Sequence, residues 1–304
     1  MDSTSYASPS LATAAPPAAT EQAAPELSLT YIRPASGWQL INVRELWQYH
    51  ELLFFLTWRD VKVRYKQTLL GAAWAILQPV LMMIVFTIFF GRMAKVPTGN
   101  LPYPLFVFAG LLPWTFFSTA IANAGNSVVG SERLITKIYF PRLAIPLAAV
   151  GAAIVDFAIA FLVLIVLMGY YAMKGAPIHL TTNILLVPVI FALITLAAVG
   201  VGTLLAALNV AYRDFKYVLP FMVQLWLFAT PTVYMQPDAS ASARMQFALA
   251  INPLAGLIAS FRAAVLGGPV PWNHLALSAL SVAILFLVGC LYFRKVEDSF
   301  ADII

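Results

Sequence analysis

A chain of 304 residues in which 61% of the side chains are hydrophobic, only 10% are charged and the mean hydropathy is +0.84 carries more apolar surface than one globular core can bury. It reads as a single membrane-embedded helical unit and not as a pair of soluble domains. The net charge of +5 comes without the dense, aromatic-interleaved basic surface that nucleic acid requires, so nucleic acid is excluded as a partner and the bases are read as topology.

Residues Met1–Ser36 are rich in Ala, Pro, Ser and Thr and are expected to form a disordered cytoplasmic tail. The start at Asp2 and the breaks at Pro9, Pro16, Pro17 and Pro25 do not fit a cleaved signal peptide, which needs a basic start and a compact apolar core. Residues 37–68 are predicted to hold an amphipathic interface helix over Val43–Lys66, too densely charged to span. Trp47 and Trp58 fit headgroup depth, and Arg59, Lys62, Arg64 and Lys66 crowd the end next to the first span, facing anionic membrane lipid. A plain membrane anchor and an anchor that also docks a cytoplasmic partner both fit this segment.

Apolar runs at Leu69–Phe90, Tyr103–Ile121, Ile145–Tyr170, Ile184–Asn209, Tyr217–Met235 and Leu275–Phe293 are each of spanning length, which makes residues 69–295 an all-α domain of six transmembrane helices. Pro79 is expected to bend the first. With the amino terminus inside, thirteen of the eighteen Lys and Arg residues are cytoplasmic, and only Arg92, Lys95, Lys174, Arg244 and Arg262 lie outside. That bias places both termini, including the tail 296–304, in the cytoplasm. Between Pro237 and Trp272, Met245–Ile251 and Leu254–Leu266 are too short to span and flank Asn252-Pro253. Residues 244–268 are therefore expected to form a re-entrant outer hairpin covered by protein. One ordinary seventh span would carry Arg294 and Lys295 outside, against the charge bias.

Groups for chemistry are sparse. There is no G-x-x-x-x-G-K-S/T phosphate loop, H-E-x-x-H or G-x-S-x-G pattern, so neither catalysis nor ATP hydrolysis is expected of this chain. His50, His179 and His274 stand apart from other ligand types, which argues against a metal site. Cys290, the single cysteine, excludes an internal disulfide and is expected to pack as a small hydrophobe. Asp156 stands inside the third span, among AAIVDFAIA, where an ionised carboxylate is costly. It is expected to face the bundle interior, and a hydrogen bond to another span fits better than a proton relay, since no intramembrane base accompanies it.

The segment Ser131–Arg142 (SERLITKIYFPR) sets Glu132, Arg133, Lys137 and Arg142 among Leu134, Ile135, Ile138 and Tyr139, predicting one or two helical turns stopped by Pro141. A short helix shaped for a partner's groove and a plain charged turn are equally compatible with it. Trp226, Phe228, Tyr234 and Met235 lie in or beside the fifth span, with Pro231 interrupting it. They either offer ring faces to a sugar or form an interfacial aromatic belt.

The stretch Trp58–Pro79 (WRDVKVRYKQTLLGAAWAILQP) resembles the permease subunit of the polysaccharide ABC exporters, the ABC-2 type proteins that move O-antigen, capsule or teichoic acid chains. Gly110–Trp114 (GLLPW), Leu134–Arg142 (LITKIYFPR), Asn209–Phe215 (NVAYRDF), Trp226–Met235 (WLFATPTVYM) and Asn252–Leu266 (NPLAGLIASFRAAVL) resemble it in the same order. The resemblance implies a type-2 ABC exporter fold acting as a homodimer, with two copies of a separate ABC ATPase that bind ATP and magnesium. It implies no cofactor on this chain. The interface helix and the loop 131–142 then correspond to the elements that contact the ATPase, which makes Arg44, Glu45, Glu132, Arg133, Lys137, Tyr139 and Arg142 coupling residues.

The mechanism so implied is export of an undecaprenyl-diphosphate-linked glycan from the cytoplasmic leaflet of the bacterial inner membrane. Arg59, Lys62, Arg64 and Lys66 are candidates for the diphosphate, because charge-assisted hydrogen bonds to phosphate oxygens are strong. Spans one and five would line the channel, with Phe86, Trp226, Phe228 and Tyr234 in its wall. An exporter of a smaller lipid or drug shares this plan, while a partner-free channel or scaffold would need no ATPase-docking elements. A polytopic glycosyltransferase is disfavoured by the absence of an acidic metal-binding pair.

Overall fold

The computed structural model describes residues 43–66, 71, 73–179, 181–212, 214–234, 249, 251–297 and 300. The expected tail 1–36, most of the first arm of the outer hairpin and most of the tail 296–304 lie outside the described residues. Over the described residues the chain is built from helices, and no strand is formed beyond an isolated bridge between Thr98 and Asn100.

The interface segment is two helices and not one, α1 (Val43–Gln48) and α2 (His50–Lys66). The turn at Tyr49 is closed locally: His50 Nδ1 lies 2.8 Å from the Trp47 carbonyl, and the two rings stack at 5.6 Å. One face of the pair, with Leu46, Tyr49, Leu52 and Leu53, packs onto a small apolar cluster, while Trp47, Phe54, Phe55 and Trp58 stay exposed.

The first span starts at α3 (Ala73–Phe86) and runs on to Met93 as a π-helix over Thr87–Met93. The α-helix continues through Pro79, and the change of winding comes later, where the Thr87 hydroxyl donates to the Met83 carbonyl at 2.6 Å. Next come α4 (Tyr103–Ser127), the single turn α5 (Glu132–Ile135), α6 (Ala144–Met173), and α7 (Val187–Ala211) led in by a 3-10 turn at Thr182–Leu186. The chain then forms α8 (Phe215–Ala229), α9 (Pro253–Leu266) and α10 (Trp272–Val296).

Among the described residues, five helical segments are long and apolar enough to cross a membrane: Ala73–Met93, Tyr103–Ser127, Ala144–Met173, Thr182–Ala211 and Trp272–Val296. The remaining predicted span, Tyr217–Met235, is the shorter α8, whose 15 residues reach about 22 Å against a hydrocarbon core of about 30 Å. Its end has a local cause. A residue before proline is pushed out of the helical region, and Thr230, ahead of Pro231, takes φ −110° and ψ 135°. Pro231 therefore ends this helix where the sequence reading had it merely interrupted.

Helix α4 is buried over most of its length and is the axis of the bundle, with Leu105, Phe108, Leu111, Phe117 and Ile121 fully buried. Phe116 of α4, Phe157 of α6 and Phe191 of α7 form one aromatic core, the last two stacked at 4.1 Å, and Phe261 of α9 meets Phe157 edge-on at 6.2 Å. Cys290 is buried on α10. Helices α7 and α10 approach at Gly200 and Gly289: a Cβ on Gly200 would lie 2.6 Å from the Phe286 Cα, and one on Gly289 would run into the Gly200 carbonyl. Close approach at small residues is how apolar helices associate when lipid competes for their other surfaces.

Gly289→Leu should therefore overfill this seam and destabilise the bundle by about 3 kcal/mol. Thermal unfolding of the detergent-purified protein reads this directly, and an unshifted midpoint would show that the seam can open.

Candidate functional site

The predicted intramembrane carboxylate organises one end of the site. Asp156, near the middle of α6, accepts from Arg64 Nη1 on one carboxylate oxygen and from the Tyr65 hydroxyl on the other. Its partners come from the last turn of α2 and not from another span, which corrects the sequence expectation. Burial pushes the Tyr65 phenol above its usual pKa, with the Arg64 charge pulling the other way, so the phenol stays a proton donor to Asp156. Thr57 of α2 lies against Gly151 of α6 one stretch below, where a Cβ would sit 3.0 Å from the Thr57 hydroxyl oxygen. Together these contacts lay α2 along α6.

Of the four predicted diphosphate residues, Arg64 thus faces inward and is half-buried. Arg59, Lys62 and Lys66 face outward, and with Phe55, Trp58 and Val63 they line a recess of about 310 Å³. Arg59 also forms an exposed pair with its neighbour Asp60 at 2.8 Å, a contact that contributes little to stability. A larger recess of about 440 Å³ runs inward from Arg59 and Asp60 past Arg64, Asn123 and Asn126 to Gly130 and Ser131. Beyond Arg64 and Asn123 it meets a cavity of about 370 Å³ among α2, α3, α4 and α6.

The loop 131–142 is seated by two anchors. Ile135 and Phe140 are buried in an apolar cluster with Val128, Leu143, Val210, Phe293 and Phe300, while Ile138 and Tyr139 stand 57% and 65% exposed between them. The helical part is a single turn that stops at Ile135, several residues ahead of the predicted stop at Pro141. Ile135, Thr136 and Ile138 are β-branched and weak helix formers, and the Thr136 hydroxyl turns back to the Glu132 carbonyl at 3.1 Å. Glu132, Arg133 and Lys137 are exposed, as is Arg44 on α1, and the Glu45 side chain lies outside the described residues. Arg142 differs from the rest of the loop: Nη1 donates to the Glu297 carbonyl, beside a 2.7 Å ion pair between Arg294 and Glu297. It braces the loop against the end of α10.

At the opposite end the break after α8 is held by residues that sequence reasoning did not single out. Asn252 caps α9, accepting from Leu254 N at 3.1 Å, and the same oxygen accepts from the Trp226 indole N–H at 3.1 Å. Its amide donates to the Ala229 carbonyl and to the Thr230 hydroxyl at 3.2 and 2.8 Å. Arg262, read from sequence as an outer base, is buried on α9. Its Nη2 donates to the carbonyls of Thr232 and Pro231 at 2.6 and 3.3 Å, and its guanidinium lies 3.8 Å from the Phe106 ring centre. Tyr103 adds a 2.9 Å bond from its hydroxyl to the Val233 carbonyl. Gly110 makes room, since a Cβ there would collide with the Arg262 guanidinium and the Thr232 carbonyl. The signal was present: Arg262 is the one charge in an otherwise apolar helix.

The four predicted wall residues are divided. Phe86 is buried within the chain's own core, and Trp226 packs edge-on against Trp114 and Phe117. Tyr234 is partly buried, its hydroxyl 3.3 Å from the Phe228 carbonyl, so Phe228 is the one whose ring is turned fully outward.

Residues 51–266 match the ABC-2 type transporter family, most of the chain's length. The chain belongs to that family. It is 31% identical over 259 residues to the O-antigen export system permease protein RfbA of Myxococcus xanthus, covering 84% of this chain and 96% of the relative. A protein of the same name from Klebsiella pneumoniae is 28% identical over 257 residues, covering 84% and 95%. The polysialic acid transport protein KpsM of Escherichia coli is 24% identical over 246 residues, covering 79% and 92%. Membership makes the chain a multi-pass membrane transport subunit and not an enzyme, and it assigns the joints at both ends of α4 to a transporter.

If Arg64 and Asp156 form one structural unit, Arg64→Gln and Asp156→Asn should each lower thermal stability, and the double variant should lose less than the sum. A coupling of about 1–2 kcal/mol is expected from a double-mutant cycle on the purified protein. Simple additivity would mean that the two side chains do not depend on each other.

Proposed function

We propose that the chain is the membrane subunit of an ATP-driven exporter that moves an undecaprenyl-diphosphate-linked, O-antigen-like polysaccharide across the bacterial inner membrane. It works as a homodimer above two copies of a separate ABC ATPase, which bind ATP and magnesium, and both its termini are cytoplasmic. The observation that carries this reading is the near end-to-end match to permeases named for O-antigen export. The match extends over almost the whole length of those relatives.

The geometry supplies a division of labour. The exposed side chains of Glu132, Arg133, Lys137, Ile138 and Tyr139 sit on a loop whose flanks are buried, so a push on the loop is passed to the helices and not absorbed. That is the property required of an ATPase contact. Arg142 acts from within, keeping the loop in register with α10. Arg59, Lys62 and Lys66 gather three cations beside Trp58 on the outward face of α2, which suits a diphosphate held at headgroup depth. Arg64, matched by Asp156, has less charge to offer a phosphate and serves chiefly to hold α2 in place. The exposed apolar faces of the first span and α8, with Leu81, Val85, Phe89, Phe221, Leu225 and Phe228, are the surfaces that meet across the dimer and bound the channel.

The reading is tested by purifying the complex from native expression and identifying bound protein and lipid by mass spectrometry. An ABC ATPase at equal stoichiometry with a polyprenyl-diphosphate glycan supports it. Reproducible recovery of the chain alone would favour a channel or scaffold. Within the complex, Lys137→Glu combined with Tyr139→Ala should lower glycolipid-stimulated ATP turnover by about tenfold while the melting midpoint stays in place. Full turnover in that variant would remove the loop from the coupling path.

A further inference from the structure

The cavity among α2, α3, α4 and α6 is lined by polar groups that the chain itself leaves unused. Thr115, Thr119 and Asn123 form a stripe at four-residue intervals on α4, and Gln78 of α3 and Trp74 line the same space. In a helix within an apolar bundle, a threonine ordinarily returns its hydroxyl to the carbonyl four residues back. Thr57, Thr87, Thr195 and Thr203 all do so, at 2.6–2.9 Å. Thr115 and Thr119 do not, and among the described residues neither their hydroxyls nor the Gln78 amide has a hydrogen-bond partner. The Asn123 Nδ2 is fully buried and also unpaired. Groups of this kind, left open at the depth of a bilayer, mark a place where something polar is bound.

The chemistry of that ligand follows from what lines the cavity. Among the described lining residues the one cation and the one anion, Arg64 and Asp156, are bonded to each other, so these residues offer no spare positive charge to a phosphate. What remains open is hydroxyl and amide, both donor and acceptor, beside an indole. That set suits a neutral ring bearing several hydroxyls, with its apolar face available to the aromatic. The volume of about 370 Å³ falls within the range of small-molecule sites, about 300–1,000 Å³. The recesses and the cavity are neighbours: Arg59 lines both the outward recess and the inner one, and Arg64 and Asn123 line both the inner recess and the cavity.

We infer that this cavity is a saccharide seat within each copy of the chain, which takes the sugar ring nearest the lipid diphosphate while the diphosphate stays at Arg59, Lys62 and Lys66. The inference rests on the export reading above and adds to it a site that discriminates a glycosylated carrier from a bare one. Thr115, Thr119, Asn123 and Gln78 supply the hydrogen bonds. The Arg64–Asp156 pair positions α2 as one wall.

The test compares two probes, a polyprenyl diphosphate carrying one sugar and the same polyprenyl diphosphate without it, binding to the full-length chain in lipid nanodiscs. The unchanged protein should bind the sugar-bearing lipid about tenfold more tightly than the bare one. Thr119→Val, nearly isosteric, and Asn123→Leu, which fills the space, should each shrink that preference by about fivefold or more. Thermal midpoints within the normal range certify that the variants are folded, and Thr119→Val keeps the test decisive should Asn123→Leu disturb packing. A preference that survives both substitutions overturns the seat, as does equal weakening of both lipids, which would mean that the cavity reads the diphosphate. Binding of neither lipid by the unchanged protein overturns the export reading and the seat with it.

Discussion

A polar group inside an apolar bundle has no water to turn to, so each must find its partner within the chain or hold a place for a ligand. In this protein several of the satisfied groups fall at joints between helices. Asp156 with Arg64 and Tyr65 ties α2 to α6, and Asn252 and Arg262 tie the broken end of α8 to α9. Asn209 ties the ends of α7 and α4, its amide donating to the Gly125 carbonyl at 3.0 Å and to the Asn126 side chain at 3.2 Å. Apolar contact sets which helices pack, but it is non-directional and tolerates sliding. The hydrogen-bonded joints fix register, because a shift by one residue would strand a donor or a charge in hydrocarbon.

Helix α4 runs past several of these features. Gly110 near its start leaves room for the Arg262 guanidinium, Thr115, Thr119 and Asn123 open onto the cavity, and Gly125 and Asn126 receive Asn209. Val128, just past its end, packs in the same cluster as the anchors of the loop 131–142. A helix buried on nearly all sides cannot shift alone, so a displacement imposed at one end is carried by its neighbours as a body. The proposed ATPase contact and the outer clamp thereby share one rigid element, with the proposed sugar seat halfway along it.

How much of this was legible in the sequence depends on the range of the forces involved. Long apolar runs report their own burial, and the four spans at Tyr103, Ile145, Ile184 and Leu275 matched helices whose ends moved by a few residues. Local rules were available for the end of α8 as well, since Thr230-Pro231 dictates an extended residue, but the continuing apolar run to Met235 masked it. The loop stop at Ile135 was misplaced for a similar reason: proline was given more weight than three β-branched residues. Partner identity was not legible. Asp156 announced that it needed a partner, yet nothing in the order of residues says that it lies on α2, 91 and 92 positions earlier. Arg262 was counted with the outer bases because charge alone does not reveal a neighbouring ring and two free carbonyls.

Among the apolar helices of the bundle, α3 and α8 bury few of their own residues and are also those assigned to the channel wall. Helix α3 exposes Trp74, Leu81 and Val85, its π-helical continuation exposes Phe89, and α8 exposes Tyr217, Phe221, Leu225 and Phe228. Lipid and a second copy are both apolar solvents for such faces, so composition alone does not separate them. Their attachment does. Helix α8 is gripped at its carboxyl end by Asn252, which accepts from the Trp226 indole and donates to the Ala229 carbonyl, and α2, which precedes α3, has its last turn fixed to Asp156. Helix α8 is thus held by hydrogen bonds at one end, and both wall helices by apolar contact along their length. Under the proposed cycle the hydrogen-bonded end is the fulcrum and the apolar face the part that slides. A glycan passing between two copies would meet surfaces that move without any buried polar group losing its partner.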